Sequence, residues 1–476
     1  NYTLGYTLSL HDALPILTGP YLYTNRCGKP VDELWTNLGP EVINISYTGS
    51  RSIIHRVIQI DFSSISAFLT GFSTYPQPLR LRLRIFTIFF LYKQTHQTVW
   101  KGELSTIMKL VFDKADLVKS VGIAMKAVSG KTTMPILECI LIDASSNVIK
   151  FTSNDMELGI ETIVTGMILE RGIVALDAKI FSEIVRKLPD NQVTIETDEN
   201  LVTTITCEKA KFNIPGQSGE DFSYLPILET SDCVSISQFT LKELIRQTIF
   251  SIAANENNKL MTGELFEIKD NTLRVVSLDG HRIAIRRIEL KDSYPDRKVV
   301  VPGKTLNEIS KILSGEMDDQ IDIYFSENHI MFKFDDTTVV SRLIDGEYFR
   351  IDQMLSSDYE TKVTINKKEF LSCIDRATLL VKEGDKKPII IDIQDGAMEL
   401  QINSAMGSMK EEIDINKEGK DIMIGFNPKF LIDALRVIDD EEISIYLVNP
   451  KAPCFIRNEE ESYIYLILPV NFNSVR

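Results

Sequence analysis

The feature that most constrains this chain is an internal repeat, written three times after Met108. Each copy opens on a helical stripe. Apolar residues recur at Leu117, Val118, Val121, Ala124, Met125 and Val128, then at Leu241, Leu244, Ile245, Thr248, Ile249 and Ile252. They recur again at Phe370, Leu371, Ile374, Ala377, Thr378 and Val381. The i, i+3/i+4, i+7/i+8 spacing predicts helices with one buried face. Alternating runs follow each stripe: ECILIDASSNVIKFTSND, GELFEIKDNTLRVVSLDG and PIIIDIQDGAMELQINSA. Period-two apolar residues broken by Asn or Asp-Gly predict antiparallel hairpins. A second helical stripe comes next: Ile180, Phe181, Ile184, Val185, Leu188 in the first copy, Leu306, Ile309, Ile312, Leu313 in the second, and Phe430, Leu431, Ala434, Leu435, Ile438 in the third. Lys179, Lys304 and Lys429 open these helices, 125 residues apart each time. Strands such as QVTIET, QIDIYFS and EISIYLV complete the copies.

Residues 108–476 therefore divide into three units of about 120 residues, placed at 108–232, 233–356 and 357–476, with boundaries in the polar stretches around Asp232 and Ser357. Each unit has two helices packed on antiparallel sheets, an α+β architecture. Pseudo-equivalent units invite end-to-end assembly. If the contact from unit 3 to unit 1 of a second copy resembles those within the chain, a head-to-tail dimer closes a ring; an open filament is the other solution.

Residues 1–107 differ. Only 15 of them are charged, against 104 of the 369 that follow, and they sustain no helical or strand period. The expectation is a disordered or artefactual extension, suggested also by the run LSLHDALPI, with Met108 as the natural start. The competing reading is a basic arm carried by Arg80, Arg82 and Arg84. The apolar run Ile85–Tyr92 is eight residues, too short for a bilayer span of about 20. No signal-peptide layout appears, and six scattered cysteines without a Cys-x-x-Cys pair suit a reducing compartment. A cytoplasmic protein is expected, with no membrane, metal or cofactor.

Net charge is −15, and −18 over residues 108–476. Cations nevertheless recur on the helices: Lys119, Lys126, Lys179, Arg186, Lys242, Arg246, Lys304, Lys311, Lys429 and Arg436. Any one lysine is ordinarily just a solvated helix face. The same bias on six helices predicts, for a closed ring with helices inside, a positive hole that holds a duplex by its phosphates without reading bases.

Several segments carry a resemblance to a known family. MKLVFDKADLVKSV at the start, VSGKTTMPIL (Val128–Leu137), LDGHRIA (Leu278–Ala284), VVVPGK (Val299–Lys304), IGFNPKFLIDAL (Ile424–Leu435) and YLILPV (Tyr465–Val470) resemble the bacterial sliding clamp, the beta subunit of DNA polymerase III. The resemblance spans residues 108–476, and residues 1–107 have no counterpart. It implies a non-catalytic, ring-shaped homodimer that encircles double-stranded DNA and tethers the polymerase catalytic subunit. It also implies DNA contacts at Lys131, Lys259, Lys304 and the helix cations above. A hydrophobic groove between units 2 and 3 would take short peptides from the polymerase, the clamp loader and other clamp-binding proteins. Its matching positions are Met261, Leu278, Gly280, His281, Arg282 and Ile283, facing Asn427, Phe430, Leu466, Leu468, Pro469 and Val470. The dimer contact would join Lys209, Lys211 and Phe212 to Leu379 and Leu380. The linker Gly346-Glu347-Tyr348-Phe349 lacks the proline that usually follows the aromatic in the family.

The rival reading is a hydrolase or nuclease on repeated α+β domains, using Asp279 and His281 as an acid–base pair. No nucleophile motif, metal cluster or phosphate-binding loop accompanies them, and Asp-Gly between alternating apolar residues reads first as a turn. Leu466, Leu468 and Val470 alternate, which predicts one buried face of a final strand.

Overall fold

Residues 108–472 are described by a computed structural model, apart from residues 131, 229–232, 255–257, 356–357 and 382–386. The expectations for residues 1–107, for Lys131 and for the boundaries at Asp232 and Ser357 lie outside the described residues.

The first repeat runs β1 (Met108–Asp113), α1 (Lys114–Ala124), β2 (Cys139–Asp143), β3 (Ile149–Asn154), β4 (Leu158–Val164), β5 (Met167–Glu170), β6 (Ile173–Asp177), α2 (Ala178–Lys187), β7 (Gln192–Thr197), β8 (Val202–Cys207) and β9 (Ala210–Gln217). The second runs β10 (Cys233–Ser237), α3 (Gln238–Arg246), β11 (Gly263–Leu278), β12 (Arg282–Pro302), α4 (Gly303–Ser310), β13 (Gln320–Phe325), β14 (His329–Phe334) and β15 (Thr337–Arg342). The third runs β16 (Thr361–Asn366), α5 (Lys367–Thr378), β17 (Ile389–Gln394), β18 (Ala397–Ser404), β19 (Gly407–Asp414), β20 (Asn416–Gly419), β21 (Ile422–Phe426), α6 (Pro428–Val437), β22 (Glu442–Leu447), β23 (Cys454–Arg457) and β24 (Tyr463–Ile467). Long β11 and β12 run continuously where the other repeats break into separate strands, and their register slips on either side of Asp270, whose φ of 53° marks the Asp-Asn turn of the sequence.

Helix starts follow from capping. Asp177, Ser237, Asn366 and Asn427 accept backbone N–H bonds from Ile180, Thr240, Glu369 and Lys429, each cap contributing about 1 kcal/mol. Helix ends differ from the sequence stripes. The first stripe leaves the α-helix at Ala124 and continues as a 3₁₀ turn, Met125–Ala127. The second ends at Arg246, where Thr248 Oγ1 donates to the Leu244 carbonyl and a 3₁₀ turn, Ile249–Ser251, follows. Apolar spacing continues through both turns because a 3₁₀ turn keeps i, i+3 residues on one side.

Within each repeat the two helices pack together, α1 on α2, α3 on α4 and α5 on α6, over a core of their own. In the first repeat Phe151 sits between Phe112 and Phe181 in edge-to-face contacts at 5.9 and 6.2 Å, all three buried. Truncating any of them to Ala is worth about 3–5 kcal/mol.

The repeats are joined by strand pairing. At the first junction β4 pairs antiparallel with β15, from Leu158 opposite Ser341 to Thr162 opposite Thr337. At the second, β12 pairs with β24, from Arg282 opposite Ile467 to Arg286 opposite Tyr463. The single buried face expected for the last strand is corrected here, because all of β24 is buried. Tyr463, Tyr465 and Ile467 face the third core, while Ile464 and Leu466 face a separate apolar cluster between repeats two and three. Leu468, past the strand, is exposed.

Cys139, Cys207, Cys373 and Cys454 are buried free thiols and Cys233 is half-buried. Among the described residues no helix is long and apolar enough to cross a membrane.

Candidate functional site

The groove residues come together at the second junction, in two layers. The floor is the apolar cluster of Leu278, Ile283 and Leu466, all buried, with Met261, Tyr348 and Phe349 packed against it. The open layer is His281, Phe430, Leu468, Pro469 and Val470. His281 stacks on Phe430 with ring centroids 6.0 Å apart at 22°. The Leu468 backbone N–H donates to the His281 carbonyl at 2.9 Å, and Val470 N–H to Gly425 at 2.8 Å, so the tail after β24 is fixed along one wall.

A turn at Asp279–Arg282 sets the other wall. Asp279 Oδ1 accepts from the backbone N–H groups of His281 and Arg282 at 3.0 and 3.2 Å, and Gly280 has φ 84°, a left-handed conformation that favours glycine. Asn427, placed in the groove by sequence, caps α6 through its Oδ1. It thereby holds the helix that presents Phe430.

Arg282 is placed differently from a groove cation that meets solvent. Its side chain is 7% exposed and lies beneath the groove. Nε donates to Asp279 Oδ2 at 3.0 Å, Nη1 to Asp433 Oδ2 at 2.7 Å and Nη2 to the Phe250 carbonyl at 2.6 Å. Its guanidinium stands 4.5 Å from the Phe430 ring centroid and 5.3 Å from that of Phe250. A planar fork with three acceptors and two aromatic faces suits arginine alone. This residue locks the second repeat's turn to α6 of the third. Phe250 and Asp433 were missed by sequence reasoning; the signal for Asp433 was its place one turn after Phe430 in the helix motif.

The helix cations fall into two groups. Lys242 donates to the Leu313 carbonyl, and Arg246 is held by Glu243, Asp439 and the Val437 carbonyl. Lys304 pairs with Asp155, Lys311 with Glu308 and Arg436 with Asp375; Lys126 lies 4.0 Å from Glu308. Arg186 donates to the Ser182 carbonyl one turn back. Lys119, Lys179, Lys259 and Lys429 are exposed and have no side-chain partner among the described residues. Arg186, Arg246 and Arg436 also stand in the last turns of their helices, where a cation favours the carbonyl end of the macrodipole by about 0.3–1 kcal/mol.

The sequence-assigned dimer residues lie at two strand edges. Phe212 is 40% exposed on β9, beside exposed Lys209 and Lys211. Leu379 is 74% exposed after α5, and half-buried Leu380 lies against the start of β19. Strand β9 pairs with β8 along Ala210–Pro215 and meets β6 only at Gly216 and Gln217. Strand β19 pairs only with β18 among the described residues.

Among the described residues no group of His, Cys, Asp or Glu is arranged to hold a metal ion. Three family models match in succession: the N-terminal domain of the DNA polymerase III beta subunit over residues 108–226, the central domain over 235–349 and the C-terminal domain over 352–471. The beta sliding clamp of Staphylococcus epidermidis is 33% identical over 375 residues, covering 76% of this chain and 99% of its own. A DNA polymerase III beta subunit from Eubacterium rectale is 72% identical with a TM-score of 0.75, covering 77% of this chain and all of that structure. The Bacillus subtilis DNA polymerase sliding clamp is 35% identical with a TM-score of 0.74 over the same shares. Through these matches, which span all three repeats, the chain belongs to the DNA polymerase III beta subunit family, the non-catalytic beta sliding clamps.

Proposed function

We propose that two copies of this chain join head to tail into a closed ring that encircles double-stranded DNA, and that the groove at the second junction docks peptides of the polymerase catalytic subunit, the clamp loader and other clamp-binding proteins. The units would be 108–232, 233–356 and 357–476. The observation that carries the ring is the pairing at the two junctions. Each joins the fourth strand region of one repeat to the last strand of the next, β4 to β15 and β12 to β24. The counterparts left over are β19 of the third repeat and β9 of the first. Their charges are complementary: Lys209 and Lys211 precede Phe212, while β19 carries Glu411, Glu412 and Asp414 against the one cation Lys410. Three repeats per chain close a six-unit ring with two chains.

In that ring the exposed, unpartnered Lys119, Lys179, Lys259 and Lys429 supply the strongest phosphate contacts. Lys126, Arg186, Lys242, Arg246, Lys304, Lys311 and Arg436 add field from within ion pairs or helix ends, and Lys131 belongs to the same set by its place in the motif. The ring works in the cytoplasm and performs no bond chemistry. Affinity for DNA then comes from topology, and phosphate contacts only centre the duplex.

Sedimentation equilibrium tests the closure. The chain is expected as a dimer at low micromolar concentration, and Phe212→Ala with Leu380→Ala is expected as a monomer of unchanged fold. A dimer that survives the double substitution overturns the interface.

A further inference from the structure

The first junction repeats the architecture of the second. Asp155 Oδ1 accepts from the N–H groups of Glu157 and Leu158 at 3.0 and 2.7 Å, as Asp279 does from His281 and Arg282. Met156 has φ 74° where Gly280 has 84°. Arg342 N–H donates to the Glu157 carbonyl at 2.8 Å, as Leu468 N–H does to His281. The two corners therefore hold pseudo-equivalent walls, and at the first one a pocket of about 290 Å³ opens.

Two differences set what this pocket accepts. Gly159 stands where the second junction has Ile283, and a Cβ at Gly159 would meet Leu225 Cδ2 at 2.0 Å. The missing side chain lets the linker leucine line the pocket beside Val340, Met156 and Tyr224, of which Met156 and Tyr224 are more than half exposed. Arg342 stands where the second junction has Leu468. It is exposed, lines the pocket and makes no ion pair among the described residues. His329, paired with Arg342 across β14 and β15, lines the same side. Burial and the Arg342 charge hold its imidazole below the ordinary proton affinity, so it stays neutral near pH 7. Glu157, whose carbonyl accepts from the Arg342 N–H, also lines the pocket.

We propose that this pocket is a second peptide-docking site, distinct from the groove at the second junction, and that it takes a linear segment with an apolar side chain followed by acidic residues. The apolar side chain enters between Leu225 and Val340. The carboxylate meets Arg342 and His329. An unpaired arginine fork beside an apolar pocket is the recognition chemistry of a carboxylate.

The probes are fluorescein-labelled Phe-Leu-Glu-Glu and Leu-Leu-Glu-Glu amides, with Phe-Leu-Gln-Gln amide as the uncharged control. They are titrated by anisotropy into the full chain carrying Phe430→Ala and Leu468→Ala, which blunts the other groove. Saturable binding is expected there, weakened at least tenfold by Arg342→Glu and at least fivefold by the Gln peptide. Arg342→Gln, which breaks no intramolecular pair, should weaken it to a lesser degree with the melting temperature unchanged. Absence of binding by either acidic peptide at 1 mM, or binding indifferent to both Arg342 substitutions, overturns the second site. Binding that vanishes with Phe430→Ala and Leu468→Ala alone assigns the peptides to the second-junction groove and equally overturns it.

Discussion

Arg282→Ala removes one side chain and strands three acceptors. Asp279 and Asp433, whose side chains are 15% and 20% exposed, each lose a charged partner, and the Phe250 carbonyl loses its donor. Breaking a buried ion pair from one side costs about 3–5 kcal/mol, because the remaining carboxylate stays desolvated without its cation. The lost carbonyl bond and ring contacts act on the same few atoms, so they do not add in full. The expected loss is therefore about 3–5 kcal/mol, read as a shift of the urea midpoint at constant slope. Arg282→Lys keeps one charge but not the fork, and should lose about 1–3 kcal/mol. The consequence reaches the groove, because the Arg282 contacts hold the turn that carries His281. A peptide that binds the second-junction groove should lose affinity in Arg282→Ala although Arg282 barely meets solvent. A midpoint shift equivalent to less than about 1 kcal/mol would refute the reasoning, since it would mean the carboxylates are solvated or re-paired. So would full stability loss in Arg282→Ala with groove affinity intact.

Glu264 is fully buried, neither carboxylate oxygen has a hydrogen-bond partner within bonding geometry among the described residues, and burial pushes its carboxyl well above the ordinary range, which the nearby Thr248 hydroxyl only partly offsets. The folded chain keeps this proton after the unfolded chain has released it near pH 4.3, so above that pH the residue costs up to about 1.4 kcal/mol per pH unit until the folded carboxyl ionises. Glu264→Gln should raise the urea midpoint at pH 8 by more than at pH 4.5; an equal difference at both would contradict a neutral buried acid. Lys119→Glu, Lys179→Glu and Lys429→Glu together should reduce the steady-state amount of clamp on nicked circular DNA several-fold at low salt with the dimer intact, and undiminished loading would remove these residues from the channel. Deleting the chain from Leu468 onward should abolish peptide binding at the second-junction groove, measured by anisotropy; retained affinity would move the site elsewhere. Burial pushes the Cys454 thiol up to about 12 and the Cys373 thiol likewise to about 12, so neither should react with Ellman's reagent at pH 8 before unfolding.

Periodicity made the repeat legible because helix and strand spacing are local properties of the chain. The six helices follow their apolar stripes, but several end before the stripe does: 3₁₀ turns follow Ala124 and Arg246, α4 ends at Ser310 ahead of Ile312 and Leu313, and α5 ends at Thr378 ahead of Val381. Strand pairing between repeats was not legible in that way. Nothing local in Leu158–Val164 or Thr337–Arg342 says they lie side by side, since their contact is set by packing over 170 residues of sequence. The complete burial of β24 has the same origin: a strand that lies between two cores loses the alternation that a one-sided sheet imposes. The groove's floor and rim came from motif resemblance, and the sequence could not separate them. Arg282 and Leu468 stand in equally recognisable motifs, yet one is buried under two aromatic rings and the other is exposed. Sequence counted the helix cations but not their partners; Asp155, Asp375 and Asp439 engage three of them across distances no spacing rule reaches, whereas Glu308 meets Lys311 at the ordinary i, i+3 spacing of a helix.

Retention on DNA tests the central claim most directly. After loader-assisted assembly on a nicked circle, the salt is raised until phosphate contacts are screened, and the bound fraction is compared with that on the same DNA cut to a linear form. A ring that encircles the duplex stays on the circle and slides off the linear ends. Equal loss from both forms would mean electrostatic binding without encirclement, and would contradict the closed ring.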